Sequence, residues 1–260
     1  NWASSADYTS VNSCVTQASP GDTITVTGNA TWTSTLEITR GVRLVGSGNP
    51  VITGKRILVY WTPNNAARTA HDTLTITGFT FDADNATFAE LGSSGILRVA
   101  NTATDYVNFV VTNNTIKNGP SSGRGLYIQG RIYGVAAANT FDRISIPLGV
   151  YGNDYNSWNT LSQAYGTTDT FFFEDNVIQF SSSYSGTAGW MESGQGGRWV
   201  VRYNTWDYTN ATNPGEFWDA HGLQTPPGGV GPRGCPARVG GPPHTPRRSA
   251  GTPSPLRPER

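Results

Sequence analysis

Two cysteines in 260 residues, Cys14 and Cys235, are too few for a disulfide framework or a zinc site, although the two could pair with each other. Lysine occurs only at Lys55 and Lys117, methionine once, and charged residues make up 14% of the chain. No run approaches the ~20 apolar residues of a membrane-spanning helix, so no membrane partner is expected. The net charge of zero hides an asymmetry: 225–260 carries six Arg against Glu259 alone, leaving 12 basic and 17 acidic residues in 1–224. An acidic body argues against nucleic acid as a partner. What the chain has in quantity is Gly (31), Tyr (11), Thr, Asn and other aromatics, the composition of an extracellular all-β protein. The start at Asn1 reads as that of a mature, secreted chain, and a monomer is expected.

Five stretches repeat one pattern: Leu74–Phe81, Phe109–Ile116, Gly134–Phe141, Phe171–Ile178 and Trp199–Trp206. Aligned on Phe79, Asn114, Asn139, Asn176 and Asn204, they place apolar residues in columns. One column is Leu74, Phe109, Gly134, Phe171, Trp199; the next is Ile76, Val111, Ala136, Phe173, Val201; a third, beyond the turn, is Phe81, Ile116, Phe141, Ile178, Trp206. Thr77, Thr112, Ala137, Glu174 and Arg202 belong to the opposite face. Alternation at period 2 is the strand signature. Strand–turn–strand units recurring every 25 to 37 residues, without helical segments between, predict a β-solenoid. The Asn column is a structural feature, because stacked amides can bond along the coil axis. Glu174 and Arg202 on adjacent coils predict a cross-strand ion pair.

Asp7–Ala18 has apolar residues at Val11, Cys14, Val15 and Ala18, the spacing of a short amphipathic helix. It is expected to cap the first coil. The following ASPGDTITVTGNATWTSTLEITRGVRLVGSG, with the later N-T and N-V turns, resembles the opening coil of right-handed parallel β-helix proteins of the pectin-lyase-like superfamily. The resemblance covers Asp7 to about Gln224 and implies an all-β, right-handed parallel β-helix with a short N-terminal capping helix. It says little about reaction, because that superfamily holds lyases, hydrolases, esterases and non-catalytic tailspikes and adhesins. Residues 1–224 are therefore read as the β-helix domain. Residues 225–260, with ten Pro and seven Gly, are read as an irregular Pro/Gly/Arg-rich tail, or as the product of a reading frame lost after Gln224.

A second set of strands precedes the repeats: Ile96–Ala100, Leu126–Gly130, Leu148–Gly152, Trp190–Gly194 and Phe217–Gly222. With Val99, Ile128, Val150, Met191 and Ala220 inward, two outward lanes result. One is Arg98, Tyr127, Gly149, Trp190, Asp219; the other is Ala100, Gln129, Tyr151, Glu192, His221. Glu192 and Asp219 then sit one coil apart with a two-residue offset, a diagonal of ~8 Å. That distance suits the general acid and base of an inverting glycosidase, which stand ~6.5–9.5 Å apart. The plain alternative is two acids on a solvated sheet, paired with Arg198 or Arg98. His221 beside Glu192 would gain a raised pKa suited to proton transfer.

Three functions follow from this face. The leading expectation is a glycoside hydrolase acting on a polysaccharide, with Glu192, Asp219 and His221 catalytic. Tyr127, Tyr151, Trp190 and Trp218 would offer stacking surfaces for sugar rings, with Gln129, Arg98 and Arg198 as polar contacts. The runner-up is a polysaccharide lyase, which needs cations to neutralise a substrate carboxylate and would draw on calcium, Arg98, Arg198 or His221. The third is a non-catalytic glycan-binding or adhesion module. No cofactor is required; Ca²⁺ is an option through the carboxylates of Asp82, Asp84 and Asp154, against the bland reading that these are turn formers.

Overall fold

The computed structural model describes residues 1–152, 168–215 and 217–220. Among the described residues seven coils stack side by side, each contributing one strand to each of three parallel sheets, visited in the same order in every coil. The first sheet holds Thr23–Thr27, Arg43–Ser47, Thr73–Thr77, Val107–Thr112, Ile132–Ala137, Phe171–Glu174 and Trp199–Arg202. The second holds the short strands just after the turn, from Ala30–Thr31 to Thr205–Asp207. The third runs Leu36–Ile38, Val59–Trp61, Leu97–Ala100, Arg124–Gln129, Ile146–Tyr151, Met191–Gly194 and Trp218–Ala220. Every pairing among the described residues is parallel, and the fold is an all-β parallel β-helix.

The apolar columns lie where alternation puts them. Phe109 pairs with Leu74 and Gly134, Gly134 with Phe171, and Phe171 with Trp199. Leu74, Phe109, Phe171, Ile76, Val111, Phe173, Phe81, Ile116 and Phe141 are all buried. Burying a side chain of this size contributes roughly 1.5–3 kcal/mol, so the columns are the main source of cohesion. Gly134 interrupts the first column because a Cβ there would fall 2.2 Å from the carbonyl oxygen of Phe109.

The Asn ladder forms at the corner between the first and second sheets. The amide Nδ2 of Asn114 donates to Oδ1 of Asn139 at 3.1 Å, that of Asn139 to Asn176 at 3.0 Å, and that of Asn176 to Asn204 at 2.9 Å. Each Oδ1 also accepts the backbone N–H of the Asn before it. The corner requires a left-handed residue just before each ladder position: Gly78, Asn113, Ala138, Asp175 and Tyr203 have φ of 81, 55, 54, 54 and 58°. Glu174 and Arg202 pair on the outside at 2.6 Å.

The N-terminal helix spans Tyr8–Gln17, with the Asp7 carboxylate accepting from the N–H of Ser10 at 2.9 Å. It packs on the strands Thr23–Thr27 and Leu36–Ile38 through Val11 and Val15. A strand the sequence reading does not contain, Trp2–Ser5, pairs outside Thr23–Thr27 and extends the first sheet beyond the first coil. Two strands missing from the sequence reading of the third sheet, Leu36–Ile38 and Val59–Trp61, lengthen that face at its N-terminal end.

Candidate functional site

Pairing across the third sheet draws one outward lane along the whole stack: Glu37, Tyr60, Arg98, Tyr127, Gly149, Glu192, Asp219. A neighbouring lane contains Ala100, Gln129, Tyr151 and Gly194. The expected register therefore needs a correction at Met191–Gly194. Val150 pairs with Ser193, not with Met191, and Glu192 pairs with Asp219. The shift is two residues, which leaves Glu192 outward in parity but moves it into the lane of Arg98 and Tyr127. Glu192 and Asp219 are then direct neighbours at the ~4.8 Å strand spacing, and the ~8 Å diagonal does not exist.

Glu192 is also not free to face a substrate. It is 3% exposed. Arg124 Nη2 and the Tyr151 hydroxyl both donate to its Oε1. Arg124, absent from the sequence reading, is the residue that changes the site. It pairs with Ile146 at the start of its strand, and its other terminal nitrogen donates to the carbonyl of Ser93. Its side chain crosses Gly149, where a Cβ would stand 2.8 Å from both Cδ and Nε of Arg124. The missing side chain at Gly149 thus opens the path from Arg124 to Glu192. Burial pulls the Arg124 guanidinium below its ordinary pKa. The buried carboxylate beside it compensates the charge.

Around this pair the face is built of tyrosine and arginine. The Arg124 guanidinium carbon stands 4.6 Å from the Tyr127 ring centre and 5.6 Å from that of Tyr151. Tyr127 and Tyr151 meet edge to face at 5.5 Å. On the other side of Tyr127, the Arg98 guanidinium lies 5.5 Å from its ring and 4.8 Å from the ring of Tyr60. Arg98 donates through Nε and Nη2 to Gln129 Oε1 at 3.2 and 2.6 Å, and through Nη1 to Ser94 at 3.5 Å. Gln129 Nε2 in turn donates to the Tyr127 hydroxyl at 3.1 Å. Burial pushes the phenols of Tyr127 and Tyr151 up. The nearby guanidiniums oppose the shift, and the Asp219 charge adds to it at Tyr151.

The structure brings together Arg98, Tyr127, Gln129, Tyr151, Glu192 and Asp219 of the expected site residues. Others lie elsewhere. Trp218 pairs with Met191 in the inward column, and its half-exposed ring stands edge-on to Trp199 at 4.8 Å. Trp190 precedes the strand Met191–Gly194; its N–H donates to the Ser145 carbonyl at 3.1 Å, and its buried indole N–H finds no acceptor among the described residues. Arg198 directly precedes the first-sheet strand Trp199–Arg202, and its carbonyl accepts from Phe171 at 3.4 Å. Tyr60, which the sequence analysis does not single out, stands in the lane of Arg98 and Tyr127. His221, Asp154, Cys235 and the tail 225–260 lie outside the described residues.

Of the expected calcium ligands, Asp82 pairs with Lys117 at 3.3 Å and accepts from Asn118 and from the N–H of Asp84, each at 2.8 Å. Asp84 turns the chain with φ 51°. This is turn and ion-pair geometry, and no group of three or more His, Cys, Asp or Glu suited to a metal occurs among the described residues.

No family model and no curated protein matches the chain. Among solved structures, a mutant of a PL6 family alginate lyase matches with a TM-score of 0.45 and 13% identity, covering 85% of this chain. The matched part is 39% of that structure's length. A likeness at this level carries no argument about residues or reaction; the coil architecture rests on the strand pairing described above.

Proposed function

We propose that the outward face of the third sheet binds and cleaves an anionic polysaccharide by β-elimination, with Arg98 as the substrate-binding cation. The observation that carries this reading is the setting of Arg98. It stands between the rings of Tyr60 and Tyr127, and its hydrogen-bond partners Gln129 and Ser94 are uncharged. Among the described residues no acid pairs with it, in contrast to Arg124, which Glu192 neutralises. A guanidinium with donors to spare matches a carboxylate, and tyrosine rings on either side suit the flat faces of pyranose units. Lanes at ~4.8 Å per coil give an extended chain a track along the stack.

Hydrolysis by a Glu192/Asp219 pair has less support. A general acid needs an accessible proton near the glycosidic oxygen, and the Glu192 carboxylate is buried under Arg124 and Tyr151. Elimination instead needs a cation to neutralise the substrate carboxylate and a base for the adjacent proton. Such a reaction yields a new reducing end together with a C=C bond conjugated to the carboxylate. The test is an assay of reducing ends and of absorbance at about 235 nm, run in parallel on polyuronates and on neutral glycans. Absorbance rising with reducing ends on polyuronates, and lost in Arg98→Gln, is the expected result. Reducing ends without absorbance restore hydrolysis. Tight binding without product assigns the face to a glycan-binding module.

A further inference from the structure

Tyr127 and Tyr151 are both on the face, yet their hydroxyls are wired in opposite senses. A guanidinium only donates, so the Gln129 oxygen must be the atom that meets Arg98 Nε and Nη2. That fixes the amide orientation, and its NH₂ must point at the Tyr127 oxygen, 3.1 Å away. Tyr127 therefore accepts from Gln129, and its own proton is not committed to Gln129. Tyr151 is the reverse: its hydroxyl donates to the Glu192 carboxylate, and its proton is held there. We propose that Tyr127 is the proton-accepting group of this face, and that Gln129, locked by Arg98, is the positioning residue that keeps the Tyr127 oxygen an acceptor. The assignment rests on the elimination reading given above.

The charged and titratable groups around Tyr127 are Arg98 on the neighbouring strand, Arg124 on its own strand, and Tyr151 on the next, with Glu192 behind Arg124. Two guanidiniums and one amide N–H face the phenol, which is the arrangement that stabilises a phenolate once it forms. In the reaction the Tyr127 phenol first gives its own proton to solvent, and the phenolate oxygen then takes the proton from the carbon next to the substrate carboxylate. The C–H electron pair becomes the C=C bond, and the C–O bond at the adjacent carbon breaks. The leaving oxygen keeps that pair and takes the proton back from the phenol. Nothing is oxidised, and no water is consumed. Tyr151 cannot substitute, because its phenol faces an anion that opposes ionisation.

The test is the pair Gln129→Glu and Gln129→Leu, read against Tyr127→Phe. Gln129→Glu keeps the size and the contact with Arg98, but a carboxylate accepts only, so Tyr127 must turn its proton inward and donate. The ultraviolet tyrosinate titration of the intact protein, minus that of Tyr127→Phe, isolates the Tyr127 phenol and needs no substrate. The expected result is a Tyr127 titration moved to higher pH in both Gln129 variants, more in Gln129→Glu, with the thermal midpoint of Gln129→Glu close to wild type. On a polyuronate, lyase turnover falls by about 10²–10⁴-fold in Tyr127→Phe and Gln129→Glu, the range for a lost general base. The limb of the wild-type pH–rate profile that rises into the alkaline range moves with the titration in the Gln129 variants. An unchanged titration in Gln129→Glu overturns the wiring whatever the activity. A moved titration with undiminished turnover in Tyr127→Phe overturns the base assignment. A moved titration in a protein that cleaves no polyuronate rejects the elimination reading and the base assignment resting on it, while the hydrogen-bond wiring stands.

Discussion

Replacing Glu192 with Leu should destabilise the protein before it says anything about catalysis. The Arg124 and Glu192 side chains are 10% and 3% exposed and bonded to each other. Removing the carboxylate strands a guanidinium that also passes over Gly149 and cannot swing out without breaking its bond to the Ser93 carbonyl. Breaking a buried pair from one side costs about 3–5 kcal/mol, a large share of a typical domain stability of about 5–15 kcal/mol. Arg124→Met should cost a similar amount, because among the described residues it leaves the buried carboxylate with the Tyr151 hydroxyl as its one side-chain donor. The double variant Arg124→Met/Glu192→Leu removes both charges and fills the space with apolar groups, so it should be more stable than either single variant by at least ~2 kcal/mol. Urea denaturation followed by tryptophan fluorescence reads all four corners of the cycle. Single effects that add within ~0.5 kcal/mol would refute the reasoning. So would a Glu192→Gln variant of wild-type stability that has lost all turnover, since that is the behaviour of an exposed catalytic acid.

Asn139→Ala should lower stability by about 3 kcal/mol or more in the same denaturation assay. It removes a 1%-exposed amide that bonds Asn114, Asn176 and the Val111 carbonyl, and orphaned buried polar groups cost ~1–3 kcal/mol each. Ala138→Gly should do the opposite, by up to ~1 kcal/mol, since φ of 54° strains alanine and the position is exposed; a loss of stability there would mean the corner is not strained. Gly149→Ala should displace the Arg124 side chain, lower the thermal midpoint and weaken binding of anionic glycans, measured by scanning fluorimetry and a binding isotherm. Bonds from the Ser5 hydroxyl first, and then from Ser10, hold the Asp7 carboxyl at about 2 against an ordinary 3.8. A depressed acid stabilises the fold above its unfolded value and loses that contribution as pH falls through the folded one. Asp7→Asn should therefore flatten the fall in thermal midpoint between about pH 4 and pH 2.

Alternation and repetition in the sequence were enough for the core and the ladder. An apolar residue at every second position has only one face to bury, and Asn114, Asn139, Asn176 and Asn204 recur at one place in each coil. These are local rules, and every coil restates them. The composition of the outward third-sheet face was also legible in part: Arg98, Tyr127, Gln129 and Tyr151 fall in the lanes that alternation assigns them. Two features were not. Alternation fixes the face of a strand but not its sliding by two residues, so it could not tell Glu192 beside Asp219 from Glu192 diagonal to it; only the pairing of Gly149 with Glu192 decides that. Arg124 shares the inward parity of Leu126, and a period-2 reading would send it into the core. Its path over Gly149 to a carboxylate 68 positions later depends on three coils meeting in space. Local pattern sets which residues form the coil and which face they bury. The tertiary structure alone decided which charges touch, because that depends on the register between coils and on the space left by a residue with no side chain.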